Sequence, residues 1–238
     1  MNQITTVIFD MYETLVENNP SLWQSTFQEI IQSQQLQVSI DDLWREWRAI
    51  EVGFRDRRIK PGTPFQSYFE GWRDCFAGAF QVLGLEGDPE TASQKSIQDM
   101  SMRNPYDETI EAMTALQANW RTAILSNADD GYLLPNAAVL GLDFAEVLSS
   151  EECRCYKPEP GLFQEMLRRL DVAPNQALYV GDRQYEDVKG ASGVGMASVW
   201  INRTGAILNP ELPTPDYQIN NLLELPGILT GEARGNHG

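Results

Sequence analysis

The run VIFDMYETL, residues 7–15, constrains this chain more than any other stretch. Ile4 and Val7 to Phe9 have the texture of a buried strand and run straight into a carboxylate, Asp10, with Thr14 and Leu15 following within a turn. In an open parallel sheet the ligand crevice forms at the carboxyl ends of the strands. A carboxylate placed there can be a nucleophile, a metal ligand or both. It can equally cap the helix that follows, and the choice rests on what the later strands carry.

From Pro105 onward apolar strands alternate with helices. The pattern predicts helices over 107–118, 133–140, 161–170 and 185–192, and strands over 122–125, 144–148, 177–180 and 197–201. Residues 217–219 read as a sixth strand. Such alternation implies a parallel sheet covered on both faces, an α/β core of the Rossmann-like, doubly wound kind. The region between has a different texture, rich in Trp, Gln and charge and helical throughout. Ser21 and Ser39 are candidate caps for its first two helices. A third, carrying the aromatic stripe from Phe65 through Tyr68, Phe69, Trp72, Phe76 and Phe80, stops at Gly84, and Gly87-Asp88-Pro89 opens a fourth. The stripe reads as bundle core rather than as a cofactor box. The expected division is a core of residues 1–16 and 103–238 with an inserted all-helical cap over 17–102.

Charge and composition narrow the function classes. The net charge of −16 argues against a nucleic-acid or anionic-membrane surface, and any anionic substrate would need cations supplied locally. Cys75, Cys153 and Cys155 make no disulfide framework, and neither Cys nor His completes a metal set around the Cys153/Cys155 pair. The single histidine, His237, sits in the tail ARGNHG, so a Ser-His-Asp or Cys-His site would need that tail to fold back. No run approaches the ~20 apolar residues of a membrane span, and no basic-then-apolar leader pattern opens the sequence. The expectation is a cytoplasmic enzyme for a small-molecule substrate, a monomer or homodimer, with no nucleic-acid or membrane partner.

Three strands end in chemically useful residues: Asp10, Ser126-Asn127 and Gly181-Asp182. Lys157 lies just before a helix beside them. Taken singly, each has a structural explanation: a turn cap, a solvated lysine, helix-capping acids. In order and spacing the set resembles the haloacid dehalogenase superfamily, hydrolases that form a covalent intermediate on an aspartate. Its first motif, D-x-D-x-T, is matched by Asp10-Met11-Tyr12-Glu13-Thr14. The second is matched by Ser126 in AILSNAD, the third by Lys157 in CYKPEPGLF, and the fourth, G-D-x-x-x-x-D, by Gly181 to Asp187.

The resemblance implies Asp10 as nucleophile, Ser126 and Asn127 holding the substrate, and Lys157 neutralising Asp10. It also implies Mg²⁺ on Asp10, the Tyr12 carbonyl and Asp182, with Asp187 in support. Physical chemistry agrees, because carboxylates about 4 Å apart repel by roughly 4 kcal/mol at an effective dielectric near 20, and an all-oxygen set suits Mg²⁺. The family's phosphatases carry a second Asp as general acid–base where this chain has Tyr12, and a phenol titrating near pH 10 shuttles protons poorly. The family's 2-haloacid dehalogenases do carry Tyr there, and displacing halide needs no proton. They bind no metal, however, and have uncharged residues where Gly181-Asp182 stands. Because an acidic pair without a metal leaves repulsion unrelieved, the favoured expectation is a Mg²⁺-dependent phosphatase for a small phosphorylated metabolite. A 2-haloacid dehalogenase is the alternative, and a weakly active binding or regulatory module a third reading. Glu13 could replace the missing acid. Arg45, Arg48, Arg55, Arg57 and Arg58 could meet a substrate carboxylate or form a solvated helix face.

Overall fold

The computed structural model describes residues 4–60 and 62–231, so His237 lies outside the described residues. Strand β1 (Thr6–Phe9) is followed by four helices: α1 (Pro20–Ser33), α2 (Ile40–Arg58), α3 (Tyr68–Leu83) and α4 (Pro89–Met100). The alternating part then runs α5 (Thr109–Gln117), β2 (Arg121–Ser126), α6 (Asp130–Val139), β3 (Val147–Ser149), α7 (Ser150–Cys153), α8 (Pro160–Leu170), β4 (Ala177–Gly181), α9 (Lys189–Gly193), β5 (Ala197–Ile201), β6 (Tyr217–Ile219) and α10 (Leu225–Leu229).

All six strands are parallel, in the order β3-β2-β1-β4-β5-β6. Strand order reverses at β1, which pairs with β2 on one side and β4 on the other. Phe9 stands level with Ile124 and Val180. A reversal of this kind leaves a crevice beyond the strand ends, and Asp10, the next residue, enters it. The period-two alternation of a strand splits the core. Val7, Phe9, Ile124, Leu178 and Val180 join the cluster that runs on into α1–α4. Ile8, Ala123, Leu125, Ala177 and Tyr179 pack on Leu162, Phe163 and Met166 of α8.

The four helices after β1 close around aromatic residues, as the stripe predicts. Trp23 and Trp47 lie 5.4 Å apart, and Phe27 and Phe76 5.3 Å. Ser39, Ser67 and Asp88 cap α2, α3 and α4, and Gly84, at φ 64, ends α3 in the left-handed conformation that glycine adopts without strain. The first cap differs from expectation. Asn19, not Ser21, accepts the backbone N–H of Ser21 and Leu22, at 3.1 and 3.3 Å. Pro20 can occupy the first helical position because its missing N–H has no intrahelical partner there, so the helix begins earlier.

Two further elements depart from the sequence pattern. The third strand is shorter and later than 144–148, and the unpredicted α7 follows it, capped by Ser149 through the Glu152 N–H at 2.9 Å. The helix expected over 185–192 opens as a wide π-type turn, Gln184–Val188, before α9. There the Asp187 carboxylate folds back to accept the Arg183 N–H at 2.8 Å. Among the described residues no helix is long and apolar enough to cross a membrane.

Asp129, after β2, ties α3 to the sheet. Its two oxygens accept the N–H groups of Tyr68 and Phe69 at 2.8 and 2.7 Å. Burial pushes its carboxyl up to about 7 against those two hydrogen bonds, with Glu151 and Asp130 adding to the rise. Between pH about 4 and 7 the folded chain therefore keeps a proton that the unfolded chain has lost. Stability from this group declines as pH rises through that window. Urea unfolding across it is expected to show a shallower decline for Asp129→Asn than for the unsubstituted protein; equal slopes would place the titration elsewhere.

Candidate active site

The carboxyl ends of β1, β2 and β4 converge on one buried cation. Lys157 Nζ donates to Asp10 Oδ1 at 2.8 Å, to Asp187 Oδ1 at 2.6 Å and to the Tyr179 hydroxyl at 2.8 Å. Ser126 Oγ donates to the same Asp10 oxygen at 2.7 Å. Asp10 Oδ1 is thus held twice, while among the described residues no donor reaches Oδ2, which is left for an incoming substrate. Asp10, Ser126 and Lys157 all line a cavity of about 680 Å³ between the sheet edge and helices α1–α3.

Local structure explains each placement. Asp10 stays in register because its N–H donates to the Val180 carbonyl at 2.9 Å. Asn127 does not aim at Asp10. Its side chain clasps the Lys157 backbone instead, accepting the N–H at 2.7 Å and donating to the carbonyl at 3.2 Å. It also lines the cavity, so it fixes the lysine while facing that space. Gly181 is required by Asp187, since a Cβ at that position would collide with the Asp187 carboxyl.

Burial opposes the charge on Lys157, yet Asp10 and Asp187 hold its pKa well above the ordinary lysine value. Burial also pushes up the carboxyl of Asp182, which Asp187 and Asp10 raise further. Asp187 is raised by burial while Lys157 pulls it back. The three carboxylates offer oxygens within 4.8 Å of one another, and Lys157 contacts only two of them. A divalent cation therefore fits the donor set: Asp182 carries the repulsion that the lysine does not relieve.

Tyr12 is placed by contacts the sequence did not disclose. Its hydroxyl accepts from Asn136 Nδ2 at 3.0 Å and donates to the Tyr132 carbonyl at 3.2 Å. Burial, above all, raises the phenol well beyond its ordinary value. Glu13, at φ 60, turns its carboxylate to the Tyr106 hydroxyl at 3.0 Å and to the Asn18 N–H, so it is engaged elsewhere. Of the five helix-α2 arginines, Arg48 and Arg55 line the cavity. Arg45 pairs with Asp42 on the surface, and Arg58 is buried between Tyr68 and Glu186, the latter at 2.7 Å.

The model of haloacid dehalogenase-like hydrolases matches residues 4–195. The chain belongs to that family. A haloacid dehalogenase-like hydrolase with this site can be compared over its length. The "(S)-2-haloacid dehalogenase 4A" of Burkholderia cepacia is 26% identical, covering 96% of each chain. The N-acylneuraminate-9-phosphatase of Homo sapiens is 32% identical, but over 51% of each chain. The structure of "L-2-haloacid dehalogenase from Xanthobacter autotrophicus with chloropropionic acid covalently bound" superposes with a TM-score of 0.77, at 23% identity over 97% of this chain and 100% of that one, and shows the same fold.

These matches overturn the phosphatase expectation. Full-length similarity lies with 2-haloacid dehalogenases, whereas the phosphatase similarity covers about half. The physical reason sits at Tyr12: a phenol locked by Asn136 and driven further from neutrality cannot replace a carboxyl proton shuttle. Sequence reasoning missed Tyr179, Asn136 and Glu186. Tyr179 left one signal, a hydroxyl-bearing side chain inside an otherwise apolar strand.

Replacing Lys157 by Met leaves Asp10 and Asp187 buried without their cation. Such a loss is expected to cost about 3–5 kcal/mol of stability, read as a lowered urea midpoint. An unchanged midpoint would mean the pair is not held in this way.

Proposed function

We propose that this hydrolase is a 2-haloacid dehalogenase. The observation that carries the reading is a carboxylate nucleophile with one oxygen fixed and one free, beside a tyrosine that cannot act as an acid. Asp10 Oδ2 attacks the halogen-bearing carbon, the carbon–halogen bond breaks, and the halide leaves with the bonding pair. The product is an ester on Asp10, and no proton moves in this step. Water then adds to the ester carbonyl, releasing the 2-hydroxy acid, restoring the Asp10 carboxylate and yielding one proton.

Lys157 and Ser126, already on Oδ1, stabilise the oxyanion that forms there when water adds. Arg48 and Arg55, which line the cavity while paired with Glu51 and Glu186, are the α2 cations placed to accept a substrate carboxylate in an acidic protein. The full-length similarity to (S)-2-haloacid dehalogenases supports the substrate class. The four helices after β1 serve as the cap that brings these arginines over the nucleophile.

Mg²⁺ is a separate proposal. Asp10, Asp182 and the Tyr12 carbonyl, with Asp187 in support, would hold it, and its chemistry there would be to neutralise the crowded carboxylates. Halide displacement does not require it.

Halide release from (S)-2-chloropropionate is expected, unchanged by EDTA, and abolished in Asp10→Asn. Phosphate esters should release nothing comparable, and an enzyme silent toward every 2-halo acid would sink the assignment. Calorimetric titration with Mg²⁺ should show binding to the unsubstituted protein and a loss of about tenfold or more in affinity for Asp182→Asn, the ligand substitution removing one carboxylate oxygen. Absence of heat in both would remove the metal from the site.

A further inference from the structure

Five of the chain's six tryptophans line the cavity that holds Asp10: Trp23, Trp44, Trp47, Trp72 and Trp200. Core packing accounts for their burial but not for this convergence. Phe27, Phe76 and Phe80 are buried in the same bundle and do not line the cavity. Four of the indoles brace one another. Trp23 meets Trp47 at 5.4 Å and the edge of Trp72 at 5.1 Å, and Trp44 stacks on Trp47 at 5.7 Å. A wall fixed by its own packing loses little freedom when a ligand settles on it.

Size points the same way. About 680 Å³ lies within the range of roughly 300–1,000 Å³ typical of pockets for drug-sized ligands, and a halopropionate would fill a small part of it. At the mouth Ile207, 95% exposed, extends the apolar lining to solvent. The cavity therefore holds Asp10, Ser126 and Lys157 at the strand ends, and along α1–α3 an aromatic lining that also carries Arg48, Glu51 and Arg55.

We propose that the acid processed here carries an aromatic ring on the carbon next to the halogen-bearing one, as in 2-bromo-3-phenylpropionate. The halogen-bearing carbon meets Asp10, and the ring lies against the tryptophan wall. Planar rings prefer offset or edge contacts with such a wall and gain beyond simple burial. This inference rests on the dehalogenase reading and names its substrate class.

The test compares bromide release from 2-bromo-3-phenylpropionate and 2-bromopropionate by the full chain. The aryl acid is expected to have a kcat/KM at least about tenfold higher, equivalent to about 1.4 kcal/mol. Trp44→Ala, the substitution at the least enclosed of the four braced indoles, should shrink that ratio. Equal or reversed preference in the unsubstituted protein overturns the inference while leaving the dehalogenase reading intact. Release from neither acid, with (S)-2-chloropropionate and the other 2-halo acids silent too, defeats the dehalogenase reading; binding then decides the aromatic subsite. Tryptophan fluorescence quenched by 3-phenylpropionate at concentrations at least about tenfold below those needed for propionate would support the subsite. Equal response to both would overturn it.

Discussion

A single ammonium group, fully enclosed, holds the site together. Lys157 sits among Asp10, Asp187 and the neutral Tyr179 hydroxyl, and taking the ammonium or either carboxylate out of water is costly unless its partners answer it. The neighbours serve that end. Asn127 fixes the lysine's backbone, Gly181 leaves room for Asp187, and the Tyr179 hydroxyl donates a hydrogen bond to the Leu125 carbonyl at 2.8 Å. Asp10 emerges with one oxygen immobilised and the other unengaged among the described residues. That asymmetry is what a nucleophilic carboxylate needs, because reactivity then belongs to one atom in one direction.

The helical insertion is bound to this centre by charge as well as by packing. Arg58 and Arg55 of α2 reach Glu186 in the turn after β4, at 2.7 and 3.3 Å. Although burial opposes it, those arginines hold the Glu186 carboxyl down to about 2. Asp129 fastens the start of α3 from the other side of the cavity. Two arginines of α2 and a wall of indoles are thereby suspended over the strand ends, which gives the cavity a charged side and an aromatic side.

On the proposed reading, Tyr12 is the position that separates two chemistries on a shared fold. A carboxyl there would move protons near neutrality, whereas a buried phenol bonded to Asn136 does not. Carbon–halogen displacement survives that exchange because its leaving group departs as a stable anion. The retained Asp182 is the feature a metal-free dehalogenase would not require, and its carboxyl is raised first by burial and further by the neighbouring Asp187 and Asp10.

Short continuous apolar runs alternating with capped helices made the α/β core, the parallel sheet and the helical insertion legible, since such patterns are local properties. Asp10, Ser126 and Asp182 were legible because each stands at the end of an apolar strand, and Lys157 because it stands just before a proline-marked helix start; their joint role came from the family resemblance, and parallel pairing brings the strand ends together. The strand ends did not reveal that Asn127 would turn to the lysine backbone, that Glu13 would be taken by Tyr106, or that Arg58 would be buried against Glu186. Local pattern likewise missed α7 and the wide turn before α9, where Ser149 and Asp187 bond backbone groups a few residues away. The sequence by itself determined the strand order along the chain, the helical stretch after β1 and which carboxylate follows the first strand. Only the tertiary structure decided which oxygen of Asp10 is unengaged, what holds the Tyr12 hydroxyl and which tryptophans line the cavity, because those depend on side chains distant in sequence meeting in one place.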